Sequence, residues 1–366
     1  MKKNRLTTNK SFNFMLAGTL IMLLASIITG VIFTMMNRTF FAVKEATYVP
    51  YESHYAFIAE DPDSDFWTKV YEAANAEAAS NNIYLEDMHK SINNSYSSED
   101  LLRIAKNSAV DGIIYSGENS ENVAALINEA VANGIGVVIL QNDVDTSMRQ
   151  CFAGINYYEL GQMYADEIIK LRSMGNEVNT IRIIVEDNMS EGVSNLISMA
   201  IEDKLAQEAG EDEAEAEAEP CEISILRVDA EDKFGAEECI RNVFISKDNL
   251  PDVILCLNSV YTQCAYQSVV DYNLVGDVQI LGYFSNDDIL DAIEKQIIFS
   301  TILIDTDEMG KLSIDALSEY KEMGYTNSYL PIDMEIIDQK KAADIIRESQ
   351  ERRPNETGGS NQKKME

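Results

Sequence analysis

The sequence predicts an α/β protein made of two doubly wound parallel-sheet lobes behind an N-terminal transmembrane helix. Three observations carry this expectation. From Ala56 onward, short apolar runs of strand length alternate with longer amphipathic stretches of helical period, which is the pattern of right-handed βαβ units and a parallel sheet. The alternation yields more strands than one open, twisted sheet holds comfortably, so two lobes are expected. Finally, Phe14 to Met36 is an unbroken run of apolar and small residues without a charge, long enough to cross a bilayer.

Taken in order, residues 1–13 carry Lys2, Lys3, Arg5 and Lys10 and no acidic residue. The positive-inside rule keeps such a segment in the cytoplasm, makes 14–36 a single-pass anchor in the cell membrane, and puts the rest of the chain outside the cytoplasm. A cleavable signal peptide is the alternative, but the run is long for one, no convincing Ala-x-Ala site follows, and no cysteine lies in it. Residues 37–53 read as a stalk.

The stretch Tyr55 to Tyr71 then opens the folded part. The apolar strand Ala56–Ala59 enters a loop broken at Pro62, and a helix starts at Phe66 and Trp67 behind Ser64 or Asp65 as a cap. An aromatic pair at a strand-to-helix turn falls at the carboxyl end of a parallel sheet, where such folds place ligands. The competing reading is a hydrophobic staple and core anchor. Further strands are expected at Ile83–Met88, Asp111–Tyr115 and Gly136–Leu140, the last a continuous apolar run suited to burial on both faces. Helices are expected at Ser97–Ser108 and Ser120–Asn133 between them. The pattern continues with helix Tyr158–Ser173, strand Thr180–Val185, helix Ser190–Ala206, strand Ile223–Val228 and helix Gly235–Ser246. Strands Val253–Leu257, Val278–Tyr283, Ser300–Ile304 and Ile332–Ile337 follow, with helices Val260–Tyr272, Asp287–Lys295 and Asp307–Met323 between them. Residues 207–220, rich in Glu and Ala, read as a solvated acidic insertion, since crowded like charges oppose helix formation there. The polar tail 340–366 reads as disordered.

The chain has 366 residues, a globular apolar content of 46% and a formal net charge of −33. Such a balance excludes nucleic-acid binding, which needs a basic surface. The five cysteines (Cys151, Cys221, Cys239, Cys256 and Cys264) have no metal-site spacing, and an odd number leaves at least one without an intrachain partner. There is no nucleophile elbow, no Gly-x-Gly-x-x-Gly after the first strand and no P-loop or zinc motif, so neither an enzyme nor a cofactor is expected. His54 and His89, the only histidines, have no catalytic setting. Asp61, Asp63 and Asp65 read as a capping loop rather than a metal cluster.

Six fragments in order carry a resemblance to a known family. They are Asp63-Ser-Asp-Phe-Trp, Val110-Asp-Gly-Ile-Ile, Ala132-Asn-Gly-Ile-Gly-Val-Val, Asn156-Tyr-Tyr-Glu-Leu-Gly, Leu250-Pro-Asp-Val-Ile-Leu-Cys-Leu-Asn and Ile280-Leu-Gly-Tyr. Between about His54 and Asp338 the chain resembles the type I periplasmic substrate-binding proteins of the ribose- and galactose-binding kind. The resemblance implies an N-terminal lobe of 54–155 plus 305–330 and a C-terminal lobe of 156–304 plus 331–339. It implies three chain crossings near Ile155, Asp305 and Pro331, and a hinge that closes over a ligand.

Carried over residue by residue, the implied ligand-binding set is Ser64, Phe66, Trp67, Gln141, Asn142, Asn195, Asn258 and Phe284. Phe66 and Trp67 match the aromatics that stack on a sugar ring. Gln141 and Asn142 replace an acid and an arginine, Ser259 replaces an acid, Phe284 replaces another acid, and Ile304 stands near a usual amide. The pocket has therefore exchanged charged partners for apolar surface. Buried sugar hydroxyls left unpaired cost roughly 1–3 kcal/mol each, so a less polar ligand, a weakly held sugar or no ligand is implied. The function expected is a membrane-anchored extracytoplasmic solute-binding protein for a sugar or sugar-like ligand. It would present that ligand to an ABC-type permease or a membrane sensor kinase, in sugar transport or signal transduction at the cell envelope. A scaffold that kept the fold and lost the pocket is the alternative. A repressor of the lactose-repressor type shares the fold but needs an N-terminal helix-turn-helix, where this chain has the apolar run.

Overall fold

The computed structural model describes residues 15–16, 18–24, 26–31, 51–92, 96–211, 221–228, 233–245 and 250–352. The chain divides into two compact units, Met1–Tyr51 and Glu52–Glu366. In the first, residues 18–24 and 26–31 are helical and their apolar side chains, such as Leu20, Ile21 and Ile27, are exposed. Among the described residues no helix is long and apolar enough to cross a membrane. The remainder of the expected 14–36 span, the basic segment 1–13 and most of the stalk lie outside the described residues.

The second unit holds two six-stranded sheets. The first contains β1 (Ser53–Ile58), β2 (Ile83–Asp87), β3 (Gly112–Tyr115), β4 (Gly136–Leu140), β5 (Cys151–Gly154) and β11 (Tyr329–Pro331), in the order β11-β5-β4-β3-β1-β2, all parallel. The second contains β6 (Thr180–Glu186), β7 (Glu222–Val228), β8 (Val253–Cys256), β9 (Gln279–Tyr283), β10 (Ser300–Ile304) and β12 (Met334–Ile337), in the order β12-β10-β9-β8-β6-β7, with only β12 antiparallel. The winding is the same in both. The order reverses beside β1 in one sheet and beside β6 in the other, and ligands of open α/β sheets bind at such switch points, outside the carboxyl ends of the strands. The central strands β3, β4 and β8 are buried along their whole length, as their continuous apolar sequences require.

Helices flank both sheets: α1 (Asp65–Ser80), α2 (Met88–Ser91), α3 (Ser98–Ala105), α4 (Glu121–Ala132), α5 (Tyr157–Ser173), α6 (Glu191–Glu211), α7 (Lys233–Ile245), α8 (Ser259–Asp271), α9 (Asp287–Glu294), α10 (Thr306–Met323) and α11 (Gln339–Arg352). Short polar residues at strand ends start them. Ser64, Ser97, Ser120, Asn156, Asn258, Asn286 and Asp305 each accept a hydrogen bond from a backbone N–H of the first turn. In each lobe one helix pair packs backbone to backbone through a glycine. A Cβ on Gly310 of α10 would lie 2.5 Å from the Val70 carbonyl oxygen of α1, and one on Gly161 of α5 would lie 2.7 Å from the Ile197 carbonyl oxygen of α6.

The chain passes between the sheets at 155–156, 305 and 332–333, and the three passages are tied together. The Ile332 N–H donates to the Gly154 carbonyl at 3.1 Å, and the Asp305 N–H to the Asp333 carbonyl at 3.0 Å. The Glu308 carboxylate accepts from the Asp333 N–H at 3.0 Å.

Several features differ from the sequence expectation: the strand expected to reach Met88 ends at Asp87, after which the short helix α2 begins, and the strand expected from Ile332 begins at Met334. Strands β5 and β11 lack a pattern of their own, being four and three residues long. Helix α6 runs on to Glu211, so the acidic stretch begins as helix: extending an existing helix through Ala, Gln and Glu avoids the cost of a new nucleus. The tail expected to be disordered is helical over Gln339–Arg352. Its Ala342 is fully buried, and Ile345 and Ile346 pack on the cluster that holds Ile289, Leu290 and Ile293. Asp338 caps it through the Lys341 N–H at 3.1 Å, and that bond holds the Asp338 carboxyl below its ordinary range. All five cysteines are free thiols.

Candidate functional site

The carboxyl ends of β1 and β6 face one cleft, lined from the first lobe by Glu60, Asp61, Ser64, Phe66, Trp67 and Gln141, and from the second by Glu186, Asn258, Ser259, Val260, Tyr283 and Phe284. Its free volume is about 50 Å³. One water needs roughly 10–15 Å³ of such space, so the cleft in this conformation holds a few waters and no sugar ring.

Aromatic side chains fill the rest. Phe66 and Trp67 meet edge to face at 5.0 Å, and Phe66 meets Phe284 of the other lobe at 5.2 Å and 79°. Phe284 is fully buried, and the Lys69 ammonium lies 4.8 Å from its ring centroid, a cation–π contact. Phe284 has φ +63° and Gln141 φ +61°, left-handed conformations uncommon for residues with large side chains. Each is the residue after the corresponding strand of its lobe, and each is clamped at both backbone groups. The Phe284 N–H donates to the Ile302 carbonyl and its own carbonyl accepts from Thr301 Oγ1, both at 2.7 Å. The Gln141 N–H donates to the Ala153 carbonyl at 3.3 Å, and its carbonyl accepts from the Tyr157 hydroxyl at 3.1 Å. Such conformations persist where the surroundings over-determine them, and they aim side chains into sites.

Besides Asp61, two carboxyl groups line the cleft, one from each lobe. Glu60 follows β1 and accepts from Asn142 Nδ2 at 3.3 Å; Glu186 ends β6 and accepts from Asn258 Nδ2 at 2.8 Å. Burial pushes the Glu60 carboxyl up to about 8, the Glu186 charge pushes the same way, and hydrogen bonds from Asn142 and the Trp67 indole oppose them. Burial also raises Glu186, against the Asn258 bond. Among the described residues, no side chain lining the cleft carries a positive charge.

Of the residues expected from the sequence, Ser64, Phe66, Trp67, Gln141, Asn258 and Phe284 line this cleft. Ser64 and Asn258 also cap α1 and α8, so capping and lining coincide in them. Asn142 is not among the residues that line the cleft, and donates to Glu60, which is. Asn195 is not brought to it. It is exposed on α6, because the helical period turns Ser194 and Ile197 inward, and Ser194 Oγ accepts from Arg227 at 3.0 Å. Ile304 is buried in the core. Glu60, Glu186, Val260 and Tyr283 were not singled out from the sequence. The signal available was position alone, since each lies at or just past the carboxyl end of a strand.

Comparison with known proteins agrees with this fold. The family model described as "Periplasmic binding protein domain" matches residues 55–324. Among solved structures, GanP, a glucose-galactose binding protein from Geobacillus stearothermophilus, superposes with a TM-score of 0.65 at 19% identity, covering 79% of this chain and 98% of its own. The XylFII–LytSN complex gives a TM-score of 0.65 at 19% identity, covering 80% and 100%. A carbohydrate transporter solute binding protein from Agrobacterium radiobacter, in complex with D-arabinose, gives 0.66 at 14% identity, covering 81% and 98%. No curated protein matches in sequence.

Proposed function

Because the chain belongs to the periplasmic binding protein domain family, we propose that it is a membrane-anchored extracytoplasmic solute-binding protein. On this reading it closes two lobes over a small sugar or sugar-like ligand and presents it to an ABC-type permease or a membrane sensor. The family is one of binding proteins and not of enzymes.

One observation carries the reading. A cleft lies at the switch points of two identically wound sheets, with residues from both lobes in its walls and three hydrogen-bonded chain passages that can serve as its hinge. A ligand that touches both walls favours the closed form, and a partner that distinguishes closed from open reads occupancy. Phe66 and Trp67 supply the apolar face on which a sugar ring stacks, and the carboxyl and amide groups of Glu60, Glu186, Gln141 and Asn258 supply hydrogen-bond partners. The apolar run 14–36 behind four cations supports the anchor. Solved relatives of this fold include a sugar ABC transporter's binding protein and a complex of XylFII with LytSN, which supports both kinds of partner.

Trp67 is the single tryptophan. Its fluorescence in the full chain, recorded with thermal melts against monosaccharides, nucleosides, furanose signalling molecules and amino acids, tests the reading. A saturable change with a melting point raised by several degrees supports it, since a ligand at 100 times its Kd adds about 2.7 kcal/mol.

A specific observation favours a second reading. Phe284 already fills the cleft from one lobe and packs on Phe66 of the other. A scaffold that keeps the closed form without ligand would show no response to any compound and an unchanged melting point.

A further inference from the structure

We propose that Glu60 and Glu186 form a proton-operated latch between the lobes: while the pair holds a proton the cleft stays shut, and losing it drives the cleft open. The latch rests on the two-lobe hinge read above, but on no ligand.

The geometry is specific. The two carboxyl groups come from equivalent strand ends, β1 and β6, and line one cleft that, among the described residues, has no cation in its lining. Each has one amide donor from its own lobe, Asn142 for Glu60 and Asn258 for Glu186. Those donors satisfy one ionised oxygen apiece and neutralise nothing. Two like charges in one partly dehydrated cleft cannot both ionise cheaply. Parting the lobes rehydrates both and separates them.

The other groups around the pair do not relieve it. Asp61 lines the cleft and adds negative charge to both. Asp65 accepts from Asn286 Nδ2 across the lobes at 3.1 Å. The Lys69 ammonium sits on the Phe284 ring. Arg149 is held by Asp143. Arg227, near the end of β6, donates to the Asp187 and Met189 carbonyls and to Ser194. Tyr157, Tyr261 and Tyr283 are kept protonated by burial. His89 is bonded to the Ala59 carbonyl at 2.8 Å, one residue from Glu60.

Closing the lobes therefore takes up a proton. A carboxyl raised to about 8 in the closed form and near its ordinary value when hydrated makes closure full-strength below about 4.5. Closure then weakens with rising pH until about 8. For one proton the closing equilibrium falls by up to about tenfold per pH unit in that window.

Acrylamide quenching of Trp67 in the full, ligand-free chain, followed from pH 5 to pH 9 with the radius of gyration measured by X-ray scattering, tests this. Trp67 lines the cleft with Glu60 and is 4% exposed. The wild-type chain is expected to show quenching that rises several-fold towards pH 9, together with a larger radius. Glu60→Gln and Glu186→Gln, each imitating a protonated carboxyl, are expected to stay protected and compact at pH 9. Circular dichroism identifies a variant that fails to fold, and the other then serves. Wild-type quenching and radius that do not change with pH overturn the latch. So does a transition that persists in the folded variants, which assigns it to a group outside the pair. Ligand titration is a separate measurement, so loss of the latch and loss of the solute-binding reading are told apart.

Discussion

Phe284 is where an aromatic ring replaces the polar contact implied by the family resemblance, and its surroundings decide what the cleft can accept. Replacing it with alanine removes a fully buried ring, and such truncations cost roughly 3–5 kcal/mol. Phe284→Ala is expected to lower the melting point, shift Trp67 emission to the red as water reaches Phe66, and enlarge any fluorescence response to sugars. A melt and an emission spectrum check it. Asn258 has two duties, capping α8 and donating to Glu186. Loss of the cap costs about 1 kcal/mol at any pH. Loss of the donor removes a bond that is stronger to the ionised form of Glu186, and burial raises that carboxyl, so the loss costs more as rising pH ionises it. Asn258→Ala should therefore be more destabilising at pH 9 than at pH 5, as paired melts would show. Phe66 and Trp67 were legible in the sequence as an aromatic pair at a strand-to-helix turn, whereas Gln141, Asn258 and Phe284 were reached only through the family resemblance. Glu60 and Glu186 were reached by neither, since their meaning lies in their pairing across two lobes far apart in sequence. Asn195 stood near the right loop, but one residue of helical phase decides whether a side chain faces inward.

Among the elements, the helix pairs through Gly310 and Gly161 fix how the outer layer sits on each sheet. At Gly310 the obstruction is backbone, the Val70 carbonyl and the Ala74 nitrogen 2.7 Å away, so no side chain can rotate clear. Gly310→Ala is expected to cost about 1–3 kcal/mol, despite the better helix propensity of alanine, and to lower the melting point measurably. Helix α11 makes a parallel case: Ala342→Asp would place a charge in the apolar cluster under α9 and should destabilise the second lobe, visible in a denaturant titration. Long helices and central strands were readable from period and continuous apolar runs. Strands β5 and β11 were not, because three or four residues carry no period and owe their pairing to neighbours. Helix α11 was hidden by its polar average, since only Ala342, Ile345 and Ile346 mark its buried face.

At the scale of the molecule, a net charge of −33 sets a repulsive background on the compact state. Raising salt from about 20 mM to about 150 mM shortens the screening length to about 8 Å and should raise the melting point, which a salt series of thermal melts would check. The twofold repetition of sheet order was legible as a doubled alternation of strands and helices; the closeness of the three passages was not, being a property of the folded chain. Those passages have a consequence for how the protein is made. Helix α10, which closes over α1, and β11, which edges the first sheet, are encoded after all of the second lobe except β12 and α11. The first lobe thus emerges from the ribosome with the apolar side of α1 uncovered, and at roughly 5–20 residues per second its cover arrives only after tens of seconds. During synthesis the lobe that comes first is completed late, and the incomplete lobe exposes the surface that a holding chaperone recognises.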